Sequence, residues 1–365
     1  MEKLRVGIIG ATGMVGQRFV SLLANHPWFR VNCVAASARS AGKTYREAVG
    51  ERWAFDWDIP AGVADMTIVD AADVDAVSEK VDFVFCAVDM KKDEIRAMEE
   101  SYAKHEIPVV SNNSACRGIE DVPMVVPEIN AAHLDVIPTQ RKRLGTERGF
   151  IAVKPNCSIQ SYVPALTPLL DFGPAEVSVC TYQAISGAGK TFKTWPEMFD
   201  NVIPYIGGED EKSENEPLKL WGHLEDRGNG PVIVNAEKPV ISAQCLRVAV
   251  SDGHMAAVSV RFAEKVTKEQ ILERWANYET EAQRLELPSA PKPFLQYFED
   301  PSRPQTKLDR DFQNGFGVSI GRLREDRIFD WRFVCLSHNT IRGAAGGGIL
   351  TAELLTRKGY ISSRL

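Results

Sequence analysis

The apolar positions of this chain change their period part-way along it, and the change divides the sequence in two. Residues 4–9 (LRVGII) form a short, nearly continuous apolar run, followed by the glycine-rich GATGMVG at 10–16. Val15, Phe19, Leu22 and Leu23 then recur at helical spacing, and His26-Pro27 ends that segment. A second apolar run at 31–36 completes a strand, turn, helix, strand opening. Runs at 66–69, 81–88 and 107–111 read as further strands, with a helix over 93–105. Strands alternating with helices predict a doubly wound parallel α/β sheet.

Beyond residue 150 strands dominate. Residues 175–185 are rich in Val, Tyr and Thr and read as one long strand. The runs 246–250 and 256–262 flank a turn-like SDGH, and 317–322 and 328–336 flank a charged turn. An exposed amphipathic helix is expected over 268–287, and a helix with a glycine-rich start over 339–355. The pattern predicts an α+β second domain, its sheet mixed or antiparallel with helices on one face. Residues 201–229 are polar and read as an excursion serving as lid, interface arm or both.

Composition narrows the classes. With 44% hydrophobic and 25% charged residues the chain is an ordinary globular protein. Its net charge of −6 and the lack of a basic stripe beyond Arg141, Lys142 and Arg143 argue against nucleic acid. No apolar run nears the roughly 18 residues that span a bilayer, and the first residues do not read as a leader. A cytoplasmic protein is expected. The seven cysteines are scattered without a CxxC, and no His/Cys/Asp cluster has ligand spacing, so no metal is expected. Cys33, Cys86, Cys180, Cys245 and Cys335 lie in or beside strand-like runs and read as small buried hydrophobes.

Six segments could carry chemistry. Gly10, Thr12, Gly13, Met14, Val15 and Gly16 stand between a strand and a helix, the context in which glycines let a pyrophosphate approach backbone N–H groups. The run after the second strand, with Ser37, Arg39 and Ser40, has hydroxyls and cations but no acid, which suits the 2′-phosphate of NADP better than the ribose of NAD. Cys157, in Lys154-Pro-Asn-Cys, would be activated if a helix starts there; alone, a cysteine in such a place is more commonly structural. His254, in the turn between two strands, could supply a base or be a turn residue without function. The loop Gln183-Ala-Ile-Ser186-Gly187 offers an amide, a hydroxyl and open backbone at a strand end, and Ser111-Asn-Asn113 ends a first-domain strand.

Taken together, GATGMVGQ, SNNSA…R…DVPMVVPEIN, PNCS, QAISGAG, IPYIGGEDEK, RVAVSDGH and HNTIRGAAGG resemble the aspartate-β-semialdehyde dehydrogenase family, its archaeal and fungal-like branch in particular. The resemblance implies an NADP-binding Rossmann domain (1–156 plus 339–365) and a catalytic and dimerisation domain of the glyceraldehyde-3-phosphate dehydrogenase type (157–338), in a homodimer or homotetramer. It implies Cys157 as the acyl-thioester nucleophile, His254 as acid/base and Gln183 as the amide that positions substrate. Arg247 would hold the substrate carboxylate, Glu209 its amino group, and Arg117, Asn113 and Lys212 the phosphate. Ser186, Gly187 and the 339–347 loop, from Asn339 to Gly347, would wall the nicotinamide. The implied activity is reversible, NADP-dependent conversion of L-4-aspartyl phosphate to the semialdehyde, in lysine, threonine and methionine biosynthesis. Three positions depart from the family pattern: Lys154 where Asn often stands, Lys190 where an aromatic is common, and Ala249 for a proline. The two lysines would lower the thiol pKa further, or mark a different acyl substrate. The rival readings are a malonyl-CoA-type thioester reductase, the more distant N-acetyl-glutamyl-phosphate reductase, and a catalytically silent NADP-binding paralogue.

Overall fold

The computed structural model describes residues 2–364. Its first sheet is wholly parallel, with strand order β3-β2-β1-β4-β5-β6. The strands are β1 Leu4–Ile9, β2 Phe29–Ala36, β3 Val69–Asp70, β4 Phe83–Cys86, β5 Val109–Ser111 and β6 Ile151–Val153. Helices Met14–Leu23 and Lys92–Lys104 make two of the crossovers. β1 and β4 are buried along most of their length, which is why they read as continuous apolar runs rather than alternating ones. The 66–69 run is shorter as a strand than its apolar content suggested: only Val69–Asp70 pairs with β2. Ile151–Val153, unannounced by any pattern, extends the sheet at the far edge.

The second sheet is mixed, with order β13-β14-β15-β12-β7-β11-β8. Its long strands are β7 Pro174–Gln183, β11 Val240–Val248, β12 His254–Phe262, β14 Val318–Glu325 and β15 Trp331–Ser337. β8 (Val202–Ile203) and β13 (Leu295–Phe298) close its edges, and β9 (His223–Asp226) and β10 (Pro231–Val234) form a separate hairpin. Burial alternates along β7 and β12. One face, with Val177, Val179, Ala256, Val258 and Val260, is sealed by helices; the other, with Ser178, Tyr182 and Gln244, is open. Cys180 lies half-buried on that open side rather than in the core.

Three helical readings change. The 268–287 stretch is two helices, Lys268–Ala276 and Glu281–Arg284, because Thr280 starts a second capping box. The 339–355 helix begins as a wide π-type turn, Ile341–Ala345, and becomes regular only over Gly346–Arg357. Residues 201–229, read as an excursion, include the Glu209–Leu220 helix, whose Glu209, Ser213, Pro217, Lys219 and Leu220 are buried. Asp210 and Glu214 accept backbone N–H groups of Cys245 and Ala243 on β11 (2.8 and 3.1 Å), holding the helix against the sheet.

The C-terminal helix returns to the first sheet, where Ile349, Leu350, Ala352, Leu354 and Leu355 join its core. The turn before it is anchored by Arg342, 1% exposed, whose guanidinium donates to both oxygens of the fully buried Glu128 at 2.5 and 2.8 Å. Removing one partner of such a pair costs about 3–5 kcal/mol, because the other charge stays buried. Glu128→Ala is therefore expected to lower the urea midpoint strongly, and the apolar double replacement Glu128→Leu with Arg342→Met to recover most of the loss. Equal midpoints for Glu128→Ala and the parent would sink the assignment of that cost.

Candidate active site

The polar cluster sits where β7 and β11 end and β12 begins. Gln183 and Arg247 are direct register partners on parallel strands, and His254 opens the antiparallel neighbour. All three face the helix-covered side, where the period of two also places the apolar core, and all three are buried. Cys157 arrives from the other direction. The chain leaves β6, passes Lys154-Pro155-Asn156, and starts the Ile159–Leu166 helix with Ser158 as its N-cap. Pro164 and Pro168 limit this helix to eight residues before a tighter turn takes over.

Cys157 Sγ lies 3.4 Å from His254 Nε2. The Ala184 N–H donates to His254 Nδ1 at 3.0 Å, so the hydrogen-bond network assigns the neutral-ring proton to Nε2, facing the sulfur. Burial and the Arg247 charge hold the imidazole well below its ordinary pKa. Burial and the Glu209 carboxylate push the Cys157 thiol up, and Lys154, Arg117 and Arg247 only partly pull it back. The expectation of a thiol lowered by a helix start and two lysines is thus corrected: desolvation outweighs them. Lys190, moreover, is exposed.

The Glu209–Leu220 helix lays a polar stripe along this pocket at positions 209, 212, 213 and 216, spaced for one helical face. Glu209 accepts from Asn156 Nδ2 (3.0 Å), Gln183 Nε2 (3.2 Å) and Lys212 Nζ (2.8 Å). Burial raises its pKa, but the Lys212 ammonium and these amides outweigh burial and keep the carboxyl below its ordinary value. Glu216 accepts from Arg117 Nη1 (2.8 Å) and from the Asn156 N–H (2.6 Å). Arg117 Nε is buried with no hydrogen-bond partner among the described residues, a donor available to an anion. Arg247 Nη1 donates to Ala184 O at 2.7 Å. Asn113, by contrast, turns its amide to the buried Glu99 (3.0 Å) and to Cys86 (3.4 Å), so its side chain serves the first sheet.

Asn339 ties two walls together: its amide donates to Ser186 Oγ (2.9 Å) and its oxygen accepts from the Gly253 N–H (2.8 Å). Gly187 covers the histidine so closely that a Cβ there would stand 3.0 Å from both His254 Nε2 and Arg247 Nη1. Gly347, buried in the C-terminal helix, lies behind Lys154. Asn156, Ser213 and Glu216 were not singled out in the sequence. The spacing of 209, 212, 213 and 216 was a usable signal, hidden because the segment was read as an excursion.

The residues present fit a dinucleotide. Gly10 has φ +85°, and a Cβ on Gly16 would stand 2.3 Å from Gly10 O, so the turn needs glycine at both places. The Met14–Leu23 helix has Gly13 at its N-cap without a side-chain cap, which leaves the N–H groups of its first turn, those of Met14, Val15 and Gly16, without a side-chain acceptor there. Ser37 and Arg39 are exposed and Ser40 half-buried just past β2. The same helix packs on the 341–345 turn, so this loop and the cysteine pocket share one wall. Among the described residues no group of three or more His, Cys, Asp or Glu could hold a metal, and no helix is long and apolar enough to cross a membrane.

Comparison with known proteins agrees over the whole chain. Residues 5–137 match the semialdehyde dehydrogenase NAD-binding domain and residues 166–342 the semialdehyde dehydrogenase dimerisation domain. The aspartate-semialdehyde dehydrogenase of Schizosaccharomyces pombe is 45% identical over 98% of this chain and 99% of its own. That of Archaeoglobus fulgidus is 43% identical over 98% and 99%. A crystal structure of the Candida albicans aspartate semialdehyde dehydrogenase with NADP superposes with TM-score 0.87 at 38% identity, covering 99% of this chain and 100% of that one. The chain therefore belongs to the aspartate-semialdehyde dehydrogenase family, with fungal and archaeal members among its relatives.

Proposed function

We propose that this protein is an NADP-dependent aspartate-semialdehyde dehydrogenase that interconverts L-4-aspartyl phosphate and L-aspartate 4-semialdehyde plus phosphate through a thioester on Cys157, in the cytoplasm. The observation that carries the reading is the Cys157–His254 contact of 3.4 Å inside a pocket holding a carboxylate and separate cations. A cysteine nucleophile divides one hard acyl transfer into two easier steps.

Each residue then has a task at a stated atom. Cys157 Sγ bonds the aldehyde carbon, giving a thiohemiacetal, and the bond persists in the thioester. The negative oxygen formed on that carbon accepts from His254 Nε2–H, the donor opposite the sulfur. The base half of an acid/base role would need the proton on Nδ1, where the Ala184 N–H already points. NADP, held by the 10–16 loop with Ser37, Arg39 and Ser40 at its 2′-phosphate and Ser186, Gly187 and Asn339 beside its ring, supplies the two-electron exchange between aldehyde and acyl levels. Arg247 holds the α-carboxylate in a charge-assisted contact. Glu209, kept ionised, receives the substrate ammonium, with Gln183 orienting it. Arg117 and Lys212 receive the phosphate, which attacks the thioester carbonyl and releases the sulfur. Glu216 must yield Arg117 for this.

The open face of the second sheet supports a homodimer or homotetramer: Tyr182, Val202, Tyr205 and Val240 are large, exposed side chains on or near its β7, β8 and β11 edge. The domain division proposed is 1–156 with 339–365 against 157–338.

Nicotinamide absorbance tests the reading. Semialdehyde, NADP⁺ and phosphate are expected to give phosphate-dependent turnover that Cys157→Ala abolishes; turnover of malonyl-CoA with NADPH instead would overturn it in favour of a thioester reductase. Arg247→Leu is expected to lower kcat/KM by about 2–4 kcal/mol, on the order of 30- to 1000-fold. Arg39→Ala should raise the KM for NADP and leave that for NAD unchanged; equal shifts for both would remove Arg39 from the 2′-phosphate site.

A further inference from the structure

The loop that carries Arg117 has little structure of its own. Residues 115–122 form neither helix nor strand. Its internal turn bonds are long: Arg117 N–H to Ser114 O is 3.4 Å, and Ile119 N–H to Cys116 O and Val122 N–H to Ile119 O are each 3.2 Å. The Ile233 N–H and the Gln140 amide hold its later residues, at Glu120 O and Asp121 O (both 2.9 Å). The Arg117 end is gathered by a side chain from another element. Lys219, on the Glu209–Leu220 helix, is 5% exposed, and its amine donates to Arg117 O (2.7 Å), Ile119 O (2.6 Å) and Val122 O (3.0 Å). An ammonium has three donors, and all three are used. Burial lowers its pKa to about 8, so it remains a cation at neutral pH, with Asp121, Glu216 and Glu120 among the acids acting on it. Lys219 stands three residues beyond Glu216 on the same helix face, and Glu216 holds the Arg117 guanidinium through Nη1 at 2.8 Å. One face thus grips Arg117 at both ends, its carbonyl and its guanidinium. The two grips respond differently to substrate. A phosphate that takes the guanidinium displaces Glu216, whereas nothing in the proposed reaction displaces the amine from three main-chain carbonyls.

We propose that Lys219 is a positioning residue for the phosphate site: its amine gathers the 117–122 loop so that the Arg117 guanidinium stays at the pocket when Glu216 releases it. Without the amine, three carbonyl oxygens converge where no donor meets them, and a buried acceptor left unpaired is costly. The loop relieves that cost by opening, and the Arg117 backbone moves with it. The guanidinium then no longer presents its unpartnered Nε at the same place. The receivers of the semialdehyde are built differently. Arg247 and Gln183 are register partners on strands of the second sheet, and Glu209 lies at the other end of the helix from Lys219. Loss of Lys219 therefore weakens phosphate and leaves the semialdehyde in place. The inference rests on the proposed reading of Arg117 as a receiver of phosphate.

The test compares the full-length parent with Lys219→Met and Lys219→Arg. Steady-state rates are measured with each of phosphate, semialdehyde and NADP⁺ varied in turn while the other two are saturating. Binding of inorganic phosphate alone is followed separately by phosphorus NMR line broadening. Thermal unfolding establishes that each variant is folded at the assay temperature; where Lys219→Met is not, Lys219→Gln, which keeps two donors, takes its place. Lys219→Met is expected to raise the KM and the dissociation constant for phosphate about tenfold, with the KM values for semialdehyde and NADP⁺ unchanged. Lys219→Arg, which keeps a cation with several donors, is expected to recover most of the loss. Phosphate constants equal to the parent's in the folded variant would overturn the proposal. Constants for phosphate, semialdehyde and NADP⁺ that rise together would overturn it as well and make Lys219 a packing residue. A parent that binds phosphate without turning over the semialdehyde would remove the substrate reading, and the binding comparison would still decide this one. A parent that binds no phosphate would overturn this one.

Discussion

The pair formed by Glu128 and Arg342 is the constraint on which the site depends. Both side chains are essentially fully buried, and Arg342 also donates to Phe316 O at 3.2 Å and stacks over the Phe294 ring at 4.6 Å. A guanidinium in such a place tolerates little displacement, because every lost contact leaves charge without solvent. The residue after it, Gly343, abuts Cys157, and the helix that begins three residues later carries the chain back to the first sheet. The nucleophile is thus held from two sides, by its own helix start and by a turn clamped from a distant loop. A pocket that must keep sulfur and imidazole at 3.4 Å gains its precision from that clamp rather than from the local sequence around the cysteine.

The second ingredient is the polar stripe of the Glu209–Leu220 helix. Its residues mix both signs within a desolvated space, and each sign has a separate receiver: Arg117 and Lys212 for an anion, Glu209 for a cation, Arg247 for a carboxylate in the proposed reaction. Before substrate arrives these groups satisfy one another, through Glu209 with Lys212 and Glu216 with Arg117. Substrate then exchanges one set of charge-assisted contacts for another, so binding does not have to offset the desolvation of bare charges. Such preorganisation explains why so many ionisable side chains can crowd around one thiol.

Much of this was legible in the sequence, and the failures have physical causes. β1, the glycine loop and the opening helix were readable because burial on both faces, a forced turn and a helical apolar stripe each leave a distinct pattern. Gln183, Arg247 and His254 could be named singly, but their meeting depends on the register of β7 against β11 and on β12 returning antiparallel, which no local pattern encodes. The Glu209–Leu220 helix was hidden by its function. A helix whose inner face is polar because it lines a site has no apolar stripe to announce it, and it reads as a solvated loop. The direction of the Cys157 shift was missed for a related reason: the cations were visible in the sequence, whereas the desolvation that outweighs them is a property of the folded pocket.

The protonation state of His254 bears on both directions of the proposed chemistry. A neutral imidazole with its proton on Nε2 is a donor, and a donor stabilises the oxygen of the tetrahedral carbon whichever way the reaction runs. In the oxidative direction it holds that oxygen as an alkoxide, the form from which hydride departs most readily. In the reductive direction the same N–H meets the oxygen as charge appears on it. A histidine ionised in the resting state would instead place a positive charge beside Arg247, which the burial of both side chains disfavours. The Ala184 N–H therefore does more than orient a ring. By occupying Nδ1 it fixes the neutral tautomer whose Nε2–H faces the sulfur.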